Sequence, residues 1–454
     1  MHETEIAPPL AAADTRRWWK LVSGYEWLVL AVASAGWIFD NYENQIFNIT
    51  RDDLLGELLK GSSRGVTFWG EVLLGVFLVG GATGGILFGW LADRWGRSLS
   101  MILTILVYAA FSGLTYFAQS LWQVAALRFL VALGTGGEWA VAAALVAEVF
   151  PARARAYGSA IFHASSVLGV ACAAVAGIVV GSHWRHAYLI GILPAILVLA
   201  VRAWIREPEQ WQRASTGVVR DPQPLDVPSD SPAPLPPAHP ARPLGSFEEL
   251  WKNPIYRKRA FIGLLLAAVG LAGYWTVLIE GQHLSENLLI AAGTPKPEAA
   301  RRAKFAFGII QNIGGGLGLL AMGPLCATIG RRRAFIFFFL AALLSTPMIC
   351  WLPRTYTQML ILLPIFGFFQ LGVHAGYAIY FPELFPTRLR ATGSGLCFNG
   401  ARIVAAVTMP LSGWLKSLPH MDLRLAVTIL GSIYALGVFL VLMLPETKGR
   451  PLEE

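Results

Sequence analysis

Charge is what this chain has least of. Of its 454 residues only 14% are Asp, Glu, Lys or Arg, against about 25% in an average soluble domain. Apolar residues make up 55%, with a mean hydropathy of +0.54, so most of the chain must face lipid or other apolar segments. Cysteine is scarce too. Cys172, Cys326, Cys350 and Cys397 stand at irregular spacing inside apolar runs, which excludes a disulfide framework and a metal motif. Gly84-Gly85 has no strand before it and no Gly-Lys-Ser/Thr after it, so it is not a nucleotide loop and ATP drive is not expected. No nucleophile is paired with a base; neither an enzyme nor a cofactor is expected. Residues 1–25 are polar and lack a secretory-signal pattern. The formal charge of +8 could suit nucleic acid, but the basic residues sit at the ends of apolar runs rather than in one patch, which argues against that partner.

Long apolar runs are what the chain has in quantity. Twelve segments stand out, at roughly 26–48, 67–92, 99–118, 122–149, 157–180, 185–205, 259–281, 304–327, 333–352, 358–383, 393–415 and 424–444. Each is close to or above the ~20 residues that cross ~30 Å of hydrocarbon. Lipid offers the backbone no hydrogen-bond partners, so these segments are predicted as helices, and the short alternating strands of a barrel are missing. The short turns at 93–98, 150–156, 328–333 and 384–392 carry nine Arg, whereas those at 119–121, 181–185, 353–357 and 416–423 carry three basic residues. Two longer loops, 49–66 and 282–303, add six more and blur the contrast slightly. The positive-inside rule then predicts cytoplasmic termini and a multi-pass protein of the inner (plasma) membrane.

The chain divides in the middle. Nine of the 22 residues from Pro222 to Pro243 are proline, which reads as an extended linker. Residues 1–206 and 250–454 are therefore expected as two six-helix bundles joined by 207–249. The halves repeat each other. Gly89-Trp-Leu-Ala-Asp93-Arg94-Trp-Gly96-Arg97 returns in degenerate form at Gly323 to Arg331, an offset of 234. Glu148-Val-Phe-Pro-Ala-Arg153-Ala-Arg155 returns as Glu383-Leu-Phe-Pro-Thr-Arg388-Leu-Arg390, an offset of 235. Parallel repeats with a site between them are one plan for moving solutes across a bilayer.

With these motifs and the stretch Arg128-Phe-x-x-x-x-Gly134-x-Gly136-Gly137, the chain resembles the major facilitator superfamily over essentially its whole length. The terminal Pro445-Glu-Thr-Lys-Gly449 is similar to the sugar-porter and metabolite:proton symporter branches. The resemblance implies an all-α integral membrane fold of twelve helices in two pseudo-symmetric bundles. It also implies that Asp93, Arg94, Arg97, Glu148, Arg153, Arg155, Glu383, Arg388 and Arg390 pair across the inner face in one state and separate in another. The second motif departs, with Ala327 in place of Asp93 and Thr328 in place of Arg94, so an asymmetric lock is expected. A proton-coupling role for Arg128 is likewise implied by the resemblance.

Ionisable groups at bilayer depth cost at least ~2.5–3.5 kcal/mol on insertion scales, so they tend to face a cavity or a partner. Asp40 and Glu43, three residues apart, are expected on one helix face, where close carboxylates raise each other's proton affinity. Glu138 falls near mid-depth of the fourth segment. These three are the candidate proton carriers. Arg402 lies about 13 Å into the eleventh segment with Asn399 one turn before it, and a guanidinium there can hold a carboxylate bidentately. A permanent ion pair of Arg402 with Asp40, Glu43 or Glu138 is the alternative. Gln311, Asn312, Gln370 and His374 complete the expected substrate contacts.

The expected function is proton-coupled symport of a small organic anion by alternating access, carried out by a monomer. Partners are then a small-molecule substrate, protons and the lipid bilayer. A proton-coupled sugar porter is the alternative. Against it, the seventh segment reads Gly270-Leu-Ala-Gly-Tyr274-Trp and lacks the Gln-Gln-x-Ser-Gly run of sugar porters.

Overall fold

The structure is a computed structural model that describes residues 16–60, 63–181, 183–216, 243–419 and 421–453. The proline-rich stretch lies almost wholly outside the described residues. Every described element is helical, and each of the twelve apolar segments is found. They are α1 (Gly24–Leu58), α2 (Ser63–Trp95), α3 (Arg97–Thr115), α4 (Leu121–Val149), α5 (Ala152–Val180), α6 (Trp184–Ile190 and Ala195–Trp204), α7 (Pro254–Ala291), α8 (Lys296–Ile329), α9 (Arg331–Trp351), α10 (Tyr356–Leu384), α11 (Arg390–Ser417) and α12 (Leu423–Leu442). Among the described residues, nine of these are long and apolar enough to cross a membrane by themselves. Of the remaining three, α1 carries Asp40 and Glu43, and α6 is interrupted between Ile190 and Ala195, where Pro194 cannot donate a helix hydrogen bond.

Local sequence sets the helix ends. Ser23 with Glu26, and Ser120 with Gln123, form capping boxes that open α1 and α4. Asn253 caps α7, with Pro254 at the first helical position, where a missing N–H costs nothing. Gly96 and Gly330, at φ 105° and 97°, make the sharp turns α2–α3 and α8–α9 that an L side chain would resist. One turn of α8, Ala306–Ile310, widens into a π-helix.

The two halves meet along α2–α11 and α5–α8, with α4 and α5 also packed on α10. Their first helices, α1 and α7, form no comparable seam among the described residues. Glycine sets how near the helices come. Along α2, an added Cβ at Gly89 would lie 2.6 Å from the Ala391 carbonyl, and one at Gly85 would lie 2.2 Å from the Asn399 side chain. Within the first half, a Cβ at Gly84 would meet the Leu133 carbonyl of α4 at 1.9 Å. Such backbone contact is how helices associate where lipid removes the hydrophobic drive. Gly84→Val is therefore expected to destabilise the protein by about 1–3 kcal/mol, seen as a lower unfolding temperature in detergent. An unchanged transition would contradict the close α2–α4 approach.

Candidate functional site

One end of the bundle is closed by a buried ion-pair network, and here most of the repeated motif charges converge. The Arg97 guanidinium grips Glu148 bidentately, Nε to Oε2 at 3.1 Å and Nη2 to Oε1 at 2.7 Å, and donates from Nη1 to Asp93 at 2.8 Å. Arg390 of the second half donates from Nη1 to the same Glu148 Oε1, at 2.7 Å. Asp93 also reaches across. Its carboxylate accepts from the backbone N–H of Ala391 and Thr392, at 3.1 and 2.8 Å, and from the Thr392 hydroxyl at 2.6 Å. It thereby caps the N-terminus of α11, where the helix dipole favours an anion. Arg97 Nη2 further donates to the Thr387 carbonyl at 2.9 Å.

The second half repeats the pattern incompletely. Arg331 grips Glu383 bidentately at 2.9 and 2.7 Å, as Arg97 grips Glu148. Arg155, the counterpart of Arg390, stands 3.9 Å from Glu383. Ala327 offers no carboxylate to cap α5, so the expected asymmetry of this end is present in the geometry. Three motif residues lie away from the seam. Arg94 is exposed over the Trp90 ring, Arg153 donates to the Arg16 carbonyl, and Arg388 pairs at 2.7 Å with Glu249 of the short helix Phe247–Lys252. Motif membership put these three with the lock, but a neighbouring position on a helix turns the side chain about 100° away.

Sequence reasoning missed the supports of this network. Glu207 accepts from the backbone N–H of Arg97 and Ser98, at 2.6 and 2.9 Å, and Glu446 does the same for Arg331 and Arg332, at 2.9 and 3.1 Å. Burial holds Glu207 above its ordinary pKa. Glu446 is also raised by burial, but the N–H groups of Arg331, Lys448, Arg332 and Thr447 bring it below the ordinary carboxylate value. The Glu453 carbonyl accepts from the Thr387 N–H and from Arg390 Nη2, each at 3.0 Å, so the segment after α12 also lies on the lock. The signal was available: Arg206-Glu207-Pro208 and Pro445-Glu446-Thr447 follow the last helix of each half.

About 12–18 Å deeper along α4 and α11, by helical rise, a second polar cluster sits near the middle of the bundle. Trp139 stacks on Phe398 across the seam at 3.9 Å, and His163 accepts from Trp139 Nε1 at 3.2 Å. Beyond this stack lies Arg402. It is partly exposed and forms no hydrogen bond or ion pair among the described residues, with Phe398 5.8 Å beneath its guanidinium. Asp40 is the acidic group that acts on it electrostatically, with Thr135 beside that carboxylate. Both Glu138 oxygens are buried without a well-aligned hydrogen bond, the Tyr108 hydroxyl being the group beside them, and both amide atoms of Asn399 are buried without a partner. Glu138 fills the niche left by Gly36, where an added Cβ would come within 1.5 Å of Oε1.

The expected residues do not all gather here. Asp40 faces the seam, but Glu43 turns into the first half, accepting from the Ser112 hydroxyl at 2.6 Å. A separation of three residues still leaves an offset of about 60° around a helix, enough for different neighbours. Arg128 donates to the Glu43 carbonyl at 3.1 Å and lies between the Phe47 and Phe77 rings, its Nε and Nη2 unpartnered. Gln370 is committed to the second half, donating to Thr346 at 3.0 Å and accepting from the Tyr434 hydroxyl. Asn312 donates to the Gly308 carbonyl of its own helix at 2.8 Å. Gln311 is buried against Gly367 with its Oε1 unpartnered, and His374 has a free buried Nε2 beside Tyr274 and Tyr377. An unpaired cation, unpartnered carboxylates and flat aromatic faces can together hold an anion and move a proton.

Comparison with known proteins bears on the family and the fold. The family model described as Major Facilitator Superfamily matches residues 28–295 and 303–454. The chain is 29% identical over 445 residues to a probable 4-methylmuconolactone transporter of Cupriavidus pinatubonensis, covering 96% of this chain and 94% of that one. It is 25% identical to the cis,cis-muconate transport protein of Acinetobacter baylyi, covering 84% and 86%. Among solved structures, the proton:xylose symporter XylE superposes with a TM-score of 0.73 at 15% identity, covering 95% of this chain and 98% of that one.

Removing one partner of a buried pair costs about 3–5 kcal/mol. Glu148→Gln is thus expected to weaken the closed end, and a cysteine placed by Ser394→Cys should then react with a hydrophilic maleimide at least about tenfold faster. Equal labelling with and without Glu148→Gln would show that this network does not hold the end shut.

Proposed function

This chain belongs to the Major Facilitator Superfamily and is a multi-pass membrane transporter, and from that premise we propose that it carries a small organic carboxylate together with a proton by alternating access. The observation that carries the reading is Arg402, a guanidinium at mid-depth with no ion pair among the described residues. A cation left unpaired in such a place is costly unless an anion visits it. The permanent-pair alternative would need a carboxylate within 4 Å. Asp40 acts on Arg402 only through the longer-range field.

The steps follow from charge. Protonation of Asp40 removes the negative field at Arg402, and the substrate carboxylate takes its place with two N–H donors. Release of the substrate restores the attraction and favours loss of the proton. Glu138 serves as a second carrier, since its unpartnered oxygens are stable in that niche only when neutral or visited by a cation. Arg128 holds the α1 backbone at Glu43, and Trp139, Phe398, Tyr274 and Tyr377 offer flat faces to an unsaturated body. Residues 1–206 and 250–454 rock against each other as one monomer, joined by 207–249. Asp93, Arg97, Glu148, Arg155, Glu383 and Arg390 part when the closed end opens, and that end, with both termini, faces the cytoplasm of an inner-membrane protein.

Similarity to transporters described for 4-methylmuconolactone and cis,cis-muconate favours an organic anion. The likeness to the xylose symporter, at 15% identity, is one of fold. The Gln370 and Asn312 amides, which hydroxyl groups of a sugar would need, are held by Thr346, Tyr434 and Gly308.

In proteoliposomes, Arg402→Ala is expected to lower kcat/KM for a carboxylate substrate about 100-fold, as loss of one charged hydrogen-bonded partner implies, with Arg402→Lys recovering part. Asp40→Asn should keep counterflow but abolish accumulation driven by a pH gradient. Undiminished accumulation by either Arg402→Ala or Asp40→Asn would contradict the assigned role.

A further inference from the structure

We propose that the cleft where the short helix Phe247–Lys252 turns into α7 binds the headgroup of an anionic phospholipid, in the leaflet on the ion-paired end of the bundle. The cleft is lined by Trp251, Pro254, Arg257, Lys258 and Phe261, with a volume of about 460 Å³. Two observations set it apart from ordinary positive-end decoration. Neighbouring basic groups already have anions: Lys252 pairs with Glu248 at 2.5 Å, Arg259 with Glu453 at 3.0 Å and Arg388 with Glu249 at 2.7 Å. The Arg257 and Lys258 side chains are exposed and form no ion pair among the described residues, and no carboxylate lines their cleft.

The second observation is the apolar wall. Trp251 is 43% and Phe261 57% exposed, bracketing the two cations. Arg257 and Phe261 are one turn apart on the same face of α7. Phe261 lies about 10 Å along the helix from Pro254, further than the roughly 5–8 Å depth of one headgroup layer. A phosphodiester can therefore accept from the guanidinium and the ammonium while its glycerol and upper chain lie on Phe261. Trp251 sits at the polar–apolar boundary, where indole is favoured. Clustered Lys and Arg beside such a boundary attract anionic lipid by about 1 kcal/mol each. Free phosphate would satisfy the cations but leave Trp251 and Phe261 uncovered, so the occupant is the lipid. This inference does not depend on which solute is carried.

The test is lipid retention by the full-length protein, read by native mass spectrometry in mixed micelles of phosphatidylglycerol and phosphatidylcholine. The unaltered protein should retain phosphatidylglycerol preferentially, and millimolar inorganic phosphate or glycerol phosphate should not displace it. The double substitution Arg257→Gln, Lys258→Gln should weaken retention about 30-fold, fivefold per charge. The charge-matched pair Lys296→Gln, Lys304→Gln at the opposite end should leave it unchanged. In the protein with its cations intact, brominated phosphatidylglycerol should quench a Trp signal that Trp251→Phe removes. Equal retention by the two double variants, displacement by free phosphate, equal binding of phosphatidylcholine, or quenching unaffected by Trp251→Phe would each overturn the proposal.

Discussion

The Glu148 carboxylate, shared between Arg97 of its own half and Arg390 of the other, is the contact on which the rest of the arrangement depends. Its two oxygens are the meeting point of two motifs that recur with offsets of 234 and 235 residues. Each half alone can satisfy its Arg–Glu pair, as Arg331 and Glu383 show. The junction at Glu148 adds an ion pair that commits one half to the other. With Asp93 capping α11, it draws α2 against α11 until Gly85 and Gly89 meet opposing atoms. The Trp139–Phe398 stack and the Arg402 cluster then take their positions above that seam.

The two polar layers have opposite chemistry. At the closed end nearly every buried charge has a partner, and supports such as Glu207 and Glu446 anchor the helix starts beneath them. At mid-depth Asp40, Glu138 and Asn399 have buried polar atoms without protein partners, and the partly exposed Arg402 has no ion pair among the described residues. Burying polar groups unmatched costs free energy, and that cost, set beside the paired charges of the closed end, is what the proposed anion and proton would relieve. The first layer holds a shape; the second is read here as the place where solute and proton meet.

Much of this was legible from the residues. Apolar runs of bilayer length marked all twelve helices, and the repeated motifs contain the Arg and Glu residues that pair at the closed end, together with the Ala327 departure. What stayed hidden is side-chain direction. Polar residues within a span have two outlets, a cavity or a neighbouring helix, and spacing alone does not choose. Gln370 turned toward Thr346 and Tyr434, and Asn312 toward its own carbonyls. Glu43 parted from Asp40 because a 60° difference (about one-sixth of a turn) put Ser112 rather than Arg402 opposite it. Phe398, Thr135 and Gly36 carry no chemical signal in sequence and join the site only because α11, α4 and α1 converge there. Glu207 and Glu446 escaped notice because their offset, 239, differs from that of the motifs they support.

The central claim is that a carboxylate and a proton travel together through the cluster around Arg402. The most direct measurement is uptake into proteoliposomes of a panel of monocarboxylates, unsaturated dicarboxylates and hexoses, with and without an inward pH gradient. The account predicts concentrative uptake of at least one carboxylate only when the gradient is present, and none of the hexoses. Hexose uptake with no carboxylate transported, or carboxylate flux indifferent to the gradient, would contradict it.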